Sequence, residues 1–183
     1  MTDNSATVQC DNLASNCRGL PSASRESFLA AMGRIFSLVA IITTDGPAGR
    51  YAITVNSATS ASADPPIVLA CINRRSPLYD AIIANGVYCL NVLAHGQEHL
   101  SDCFAGRPRD GAPFDFTAAQ WSAASTGAPI LTGAVASFDC ALLEQHDIGT
   151  HTAFFGRVLE VREAGVVPLI YGSRLYTRPD TAA

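Results

Sequence analysis

The chain has 183 residues, 48% hydrophobic and 15% charged, with a formal net charge of −4. That is enough apolar material for one sizeable core, and less charge than the roughly 25% typical of soluble domains, which points to surface buried against another subunit. The negative balance argues against a nucleic-acid groove or an anionic membrane surface as partner, and all twelve basic residues are arginine, which excludes Schiff-base chemistry and a P-loop lysine.

Residues 1–23 are rich in Ser, Asn, Ala and Thr and read as a flexible tail, with 24–178 as one domain and 179–183 as a C-terminal tail. No basic segment followed by an apolar run opens the chain, so no signal peptide is expected. The longest apolar run, Ile35 to Ile42, is interrupted by Ser37 and falls far short of the ~20 residues that span a bilayer. Six cysteines (10, 17, 71, 89, 103, 140) include no Cys-x-x-Cys pair. They read as free thiols in a reducing, cytoplasmic setting.

From Arg25, apolar Phe28, Ala31, Met32, Ile35 and Phe36 recur at helical spacing and predict one helix. LVAIITT (38–44) predicts a strand closed by the turn Asp45-Gly46-Pro47. Residues 50–62 read as one extended stretch, broken at Asp64-Pro65-Pro66, and IVLACI (67–72) as a buried strand. A short helix over 77–84 ends at the C-cap pair Asn85-Gly86. A strand over 87–93, a second helix over 95–104 and a Gly/Pro/Asp-rich loop over 105–118 follow. Ala136, Phe138, Cys140 and Leu142 alternate with polar Ser137 and Asp139, which predicts a strand with one buried face. A strand over 152–162 comes next, then two strand runs around Gly172-Ser173, a type II′ hairpin signal. Many strands with few, short helices argue for a β-barrel or sandwich.

Four stretches could carry chemistry. After the strand ending at Cys71-Ile72-Asn73, Arg74 and Arg75 precede Ser76 and Pro77 at a helix start. A capping serine, a proline at N1, the positive end of the helix dipole and two arginines suit a phosphate; the same residues also fit an ordinary capped helix with solvated arginines. Tyr51 to Ser62 offers small polar residues that let a flat ligand approach the backbone, and also fits a sheet edge. His95-Gly96-Gln97-Glu98-His99 matches the inverted zinc-peptidase pattern, but Gly96 weakens the helix and no third ligand follows at a characteristic spacing. A surface or capping role is expected there, and no metal. His151 opens a strand after the turn Asp147-Ile148-Gly149-Thr150; it could donate a hydrogen bond or stack, or be structural.

Together these stretches resemble the short-chain flavin reductase family, the reductase components of two-component flavin monooxygenases. The resemblance runs from about Phe28 to Tyr176 through LVAIITTDGPAG, TVNSATSASADPP, IVLACINRRSP, GVYCLNVLAHGQEHLSDCFAG, GAPILTGAVASFDC, the IGTH turn and PLIYGSRLY. It implies a mainly β fold, the FMN-binding split barrel (an antiparallel Greek-key β-barrel with a few short helices), usually as a homodimer. Arg50, Tyr51, Ala52, Ile53, Thr54, Asn56 and Ser57 match the segment that bonds the flavin ring and ribityl chain. Cys71, Ile72 and Asn73 match the strand end beneath it, Ser76 and Pro77 the phosphate-binding helix start, and Phe104, Ala105 and Gly106 a turn beside the phosphate or adenylate part. His151 matches a histidine near the nicotinamide and Tyr176 an aromatic at the same mouth. The 95–99 stretch corresponds to an ordinary helix.

The activity implied is hydride transfer from NADH or NADPH to FAD or FMN, with reduced flavin diffusing to a separate oxygenase. The cofactors carry that chemistry and the protein orients them. Two other readings share the fold: reduction of a ferric complex or cobalt corrinoid through bound flavin, and flavin binding without turnover. One departure stands out, since many relatives read Gly-Asp-His where this chain has Gly149-Thr150-His151.

Overall fold

The computed structural model describes residues 20–123 and 125–180. Most of the expected N-terminal tail, Cys10, Cys17 and the end of the C-terminal tail therefore lie outside the described residues. The chain divides at Arg34 into two units. In the first, helix α1 (Arg25–Met32) is capped by Ser24, whose Oγ accepts the Ser27 N–H at 3.1 Å. It closes at Gly33 and does not extend to Ile35 and Phe36, because glycine is a poor helix former and the β-rich sequence resumes within four residues.

The second unit opens with β1 (Ser37–Leu38), β2 (Ala40–Thr44), β3 (Tyr51–Val55), β4 (Ala58–Ala63) and β5 (Pro66–Asn73). Helix α2 (Pro77–Asn85), β6 (Val87–Val92) and helix α3 (Glu98–Phe104) follow. After a 3-10 turn (Phe116–Ala118) come β7 (Trp121–Ala123), β8 (Pro129–Leu131), β9 (Ala136–Ile148), β10 (His151–Glu163), β11 (Ile170–Gly172) and β12 (Leu175–Thr177). Seven strands form one antiparallel sheet in the order β3-β2-β6-β9-β10-β5-β4. Its two edge strands, β3 and β4, are consecutive in sequence and separated only by Asn56 and Ser57. The sheet must therefore curl until its edges approach, which makes it a barrel. The Ser57 carbonyl accepts the Cys71 N–H at 2.9 Å and fastens this seam to β5.

All five residues of β2 are buried, because the strand is covered on both faces. Ala40 and Ile42 pack with Val68, Ile72, Tyr88 and Phe154, and α2 adds Leu78 and Ile82 to the same cluster. Val39 and Ile41 belong instead to a cluster with Leu100, Cys103 and Phe104 of α3. The Tyr88 hydroxyl donates to the Val68 carbonyl at 3.3 Å, and its ring lies so near Gly156 that a Cβ there would overlap it. The β9–β10 register shifts at that glycine, so the bulge makes room for the ring.

Local details differ from the sequence reading where tertiary contacts decide. Residues 50–62 form two strands, because the barrel changes edge at Asn56-Ser57. The final hairpin turns on Ser173 and Arg174, both at positive φ (51° and 62°), the type I′ pattern in place of type II′; Gly172 stays in β11, where Phe36 fills the space a side chain would need. Strands β7 and β8 carried no periodic signal. Buried Asn91 pins β8, donating to the Pro129 carbonyl at 3.3 Å and accepting from the Leu131 N–H at 2.9 Å, and it also accepts from the Ser137 hydroxyl of β9 at 2.8 Å; β7 pairs with β8. Among the described residues, no helix is long and apolar enough to cross a membrane.

Candidate functional site

A cleft of about 780 Å³ opens where β3, the end of β5, the start of α2 and the loop after α3 meet. Its first wall is backbone. As an edge strand, β3 pairs with β2 on one side only, so backbone N–H and C=O groups on its other side are available to a ligand. The loop before β3 is held by Asn85. Its Oδ1 accepts the Ala48 N–H at 2.8 Å, and its Nδ2 donates to the Gly49 carbonyl and the Thr44 hydroxyl, each at 3.1 Å. Thr54 donates to the Ser101 carbonyl at 2.7 Å and ties β3 to α3.

The second wall is the start of α2. Ser76 is extended (φ −77°, ψ 135°), its Oγ accepts the Leu78 N–H at 3.3 Å, and Pro77 follows at N1. Asn73 Oδ1 accepts the Arg75 N–H at 2.9 Å, and the Asn73 carbonyl accepts that of Ser76 at 2.9 Å. The amides of Arg75, Ser76, Leu78 and Tyr79 are thus engaged within the turn. An anion here would be met by the Arg75 guanidinium, the Ser76 O–H and the helix dipole. Arg74 is differently employed. Its Nη1 pairs with Asp147 at 2.9 Å and its Nη2 donates to the Gly149 carbonyl, clamping the β9–β10 turn to the end of β5.

The third wall is aromatic. Phe104, Phe116 and Trp121 form a cluster with ring centroids 5.2–5.7 Å apart. Arg50 crosses to this wall: its Nε pairs with Asp45 at 2.7 Å and its guanidinium lies 5.6 Å from the Phe116 centroid. Phe114, at φ 58°, is one of three non-glycine residues with positive φ among those described, a conformation that costs a side-chain-bearing residue roughly 1–2 kcal/mol. Its N–H donates to the Cys103 carbonyl at 3.1 Å. Its ring covers Gly106 (φ 72°), where a Cβ would come within 2.9 Å of Cζ.

Of the residues singled out from sequence, Arg50 to Thr54, Asn73, Ser76, Pro77, Phe104 and Ala105 line this one cleft. Asn56 and Tyr176 line a neighbouring cavity of about 170 Å³ that shares Thr54 and Ala105 with it. Tyr176 donates to Asp102 at 2.6 Å and lies 2.9 Å from the Ser101 hydroxyl. Burial, then the Asp102 hydrogen bond, push its pKa up to about 12. Ile72 is in the core, Cys71 is half-buried, and Ser57 and Gly106 support the walls from outside the cleft. His151 is exposed opposite Asn73 in the β10–β5 register, so it shares the face of a cleft residue. Its Nδ1 is 2.9 Å from the Thr150 hydroxyl. The side chain next to the ring is therefore a neutral hydroxyl.

His95 precedes α3, so the helical spacing that the zinc pattern requires between His95 and His99 is not present. The cleft residues that sequence reasoning missed are Leu78, Phe114 and Phe116, and Arg75 as the cleft arginine of its pair. Phe114 and Phe116 fell in a segment read only as a loop, and two aromatics within it were the available signal.

An antiparallel barrel with a phosphate-suited helix start beside an open strand edge defines a small β-barrel protein of the nucleotide-cofactor-binding kind. Residues 32–179 match the flavin reductase like domain, and the chain belongs to that family. It is 43% identical over 169 residues to the FMN reductase (NADH) RutF of Ancylobacter novellus, covering 91% of each chain. Among solved structures, the NADH:FAD oxidoreductase SgcE6 of Streptomyces globisporus, in complex with NAD and FAD fragments, superposes with a TM-score of 0.78 at 28% identity, over 87% of this chain and 96% of that one. The styrene monooxygenase flavin reductase of Pseudomonas putida S12 gives a TM-score of 0.74 at 25% identity, over 85% and 99%.

Proposed function

We propose that this protein is an NADH-dependent flavin reductase that hands reduced flavin to a separate monooxygenase, with the 780 Å³ cleft as its site. Bound there, the flavin, FMN or FAD, accepts a hydride from the reduced nicotinamide. The observation that carries the site assignment is the meeting of an unpaired strand edge, Arg50 to Thr54, with the Arg75–Ser76–Pro77 helix start in one cleft. The strand edge offers hydrogen bonds to the rim of a flat heterocycle, and Arg75 and the Ser76 hydroxyl receive its phosphate. Cys71, Ile72 and Asn73 hold the floor, Phe104 and Ala105 exclude water from the opposite side, and Asn56, Ser57 and Gly106 shape the margins. His151 presents a ring to the nicotinamide beside Asn73, and Tyr176 closes the neighbouring cavity.

The decisive assay is loss of NADH absorbance at 340 nm, with and without added FMN or FAD. Rapid, flavin-dependent loss is expected. Flavin binding without NADH or NADPH oxidation would overturn the reading.

A homodimer belongs to the same proposal. A groove of about 400 Å³ runs along β4, β5, β9 and β10, lined by Ala58, Ile67, Val68, Phe138, Val158 and Val161. Leu143, Leu159 and Val161 of β9 and β10 are about half exposed. A nearly uncharged strip on a charge-poor chain suits a second copy. Light scattering after gel filtration should give twice the chain mass; a monomer at micromolar concentration would refute it.

A further inference from the structure

We infer that Phe114 is a stacking platform for the adenine ring of a dinucleotide in the cleft. This deepens the reductase reading and rests on it. Phe114 lines the cleft, is 49% exposed and is held at φ 58°. Among the described residues it takes no part in an aromatic pair, whereas Phe116 two positions on is paired with Phe104 and Trp121. Two devices keep it there. The Cys103 carbonyl holds its N–H, and the bare Gly106 leaves room for its ring. A half-exposed aromatic kept in an unfavourable backbone conformation by its surroundings marks a functional position more than a packing one.

The ligand chemistry follows from what the other walls supply. A mononucleotide brings one flat ring and one phosphate, which the β3 edge and the Arg75–Ser76 corner satisfy. Phe114 is a second flat surface, and Arg50, fixed at Asp45 and above Phe116, is a second cation in the same cleft. An extra phosphate and an extra heteroaromatic ring are what an adenine dinucleotide adds. Stacking on an exposed ring needs no particular hydrogen-bonding edge. FAD and NADH both carry this group, and the test separates them.

Phe114→Leu keeps volume and apolarity but removes the aromatic face. The dissociation constants of FMN and FAD, read by flavin fluorescence, are measured beside the KM for NADH and for reduced nicotinamide mononucleotide. If FAD is the source, its Kd rises about tenfold and the FAD-to-FMN ratio rises with it. If NADH is the source, its KM rises relative to that of the mononucleotide while the flavin ratio stays put. Phe114→Trp restores either value. Unchanged ratios on both sides overturn the inference, and so does equal weakening of FMN and FAD. Phe114→Gly checks for a merely structural ring: relief of the backbone offsets the lost contact, so Tm stays within about 3 °C of the wild type, whereas a larger fall assigns the ring to packing. If the unsubstituted protein binds neither flavin, the reductase reading itself fails, a result distinct from failure of the platform alone.

Discussion

On the α2 side of the cleft, the contacts that fix the wall join residues close in sequence: Asn73 to Arg75 and Ser76, Ser76 to Leu78 and Tyr79. On the side after α3, Phe114 depends on Cys103 and Gly106, Phe116 on Phe104 and Trp121, and Arg50 reaches over from the residue before β3. The α2 wall is made of local backbone chemistry at favoured dihedral angles. The aromatic wall is assembled from distant pieces and holds a residue at an unfavourable one. The difference teaches how each wall is fixed: the α2 corner by capping and turn bonds between near neighbours in sequence, the aromatic side by tertiary contacts that hold Phe114 at positive φ.

Four measurements would break or sharpen that contrast. The largest effect is expected from Gly106→Ala, whose Cβ would strike the Phe114 ring at a backbone angle favouring glycine. A cost of about 2 kcal/mol, or roughly 4–8 °C in Tm, is expected, together with altered binding in the cleft. An unchanged melting curve would mean that the aromatic wall is not held by this contact. Ser76→Ala removes the cap and the hydroxyl together. A loss of about 1 kcal/mol and a flavin KM some fivefold higher are expected, and a KM that does not move would remove phosphate from this corner. His151→Ala, opposite Asn73 at the end of β5, should raise the NADH KM by a factor of about three to ten and the flavin Kd by less; equal damage to both would make His151 structural.

The smallest effect is at high pH. Tyr176 has a folded pKa raised to about 12 from the usual 10. Its contribution to stability is therefore complete below pH 10 and is lost as pH climbs towards 12. Urea unfolding at stepped pH should show wild type and Tyr176→Phe converging across that interval. A constant difference between them would place the alkaline sensitivity elsewhere, for instance at Tyr88, whose pKa burial also raises.

The same contrast explains how much could be read in the sequence. Ser76, Pro77 and the Asn85-Gly86 stop announce α2 because capping is local, and the strand runs announce the barrel because apolar segments recur between turn signals. The Asn56-Ser57 edge change was not legible, since nothing in a Ser/Thr/Asn-rich run marks where a sheet closes. Strands β7 and β8 were missed because β8 is placed by Asn91, some forty residues away, and β7 by its pairing with β8. Phe114 was invisible for a related reason. Its importance lies in a dihedral angle and in a glycine eight positions earlier, and neither has a periodic signature.

The join between β3 and β4 has a consequence for engineering. The barrel is closed there by two residues of chain, and the edges on either side are the ends of the seven-strand order. A nick at Asn56-Ser57 would free two unpaired strand borders at once, each able to template another molecule. A nick in the 107–113 stretch would leave all six ladders of the seven-strand sheet intact. Tags, linkers and permuted ends belong in the second place, and any insertion at the first trades a closed barrel for a self-associating sheet.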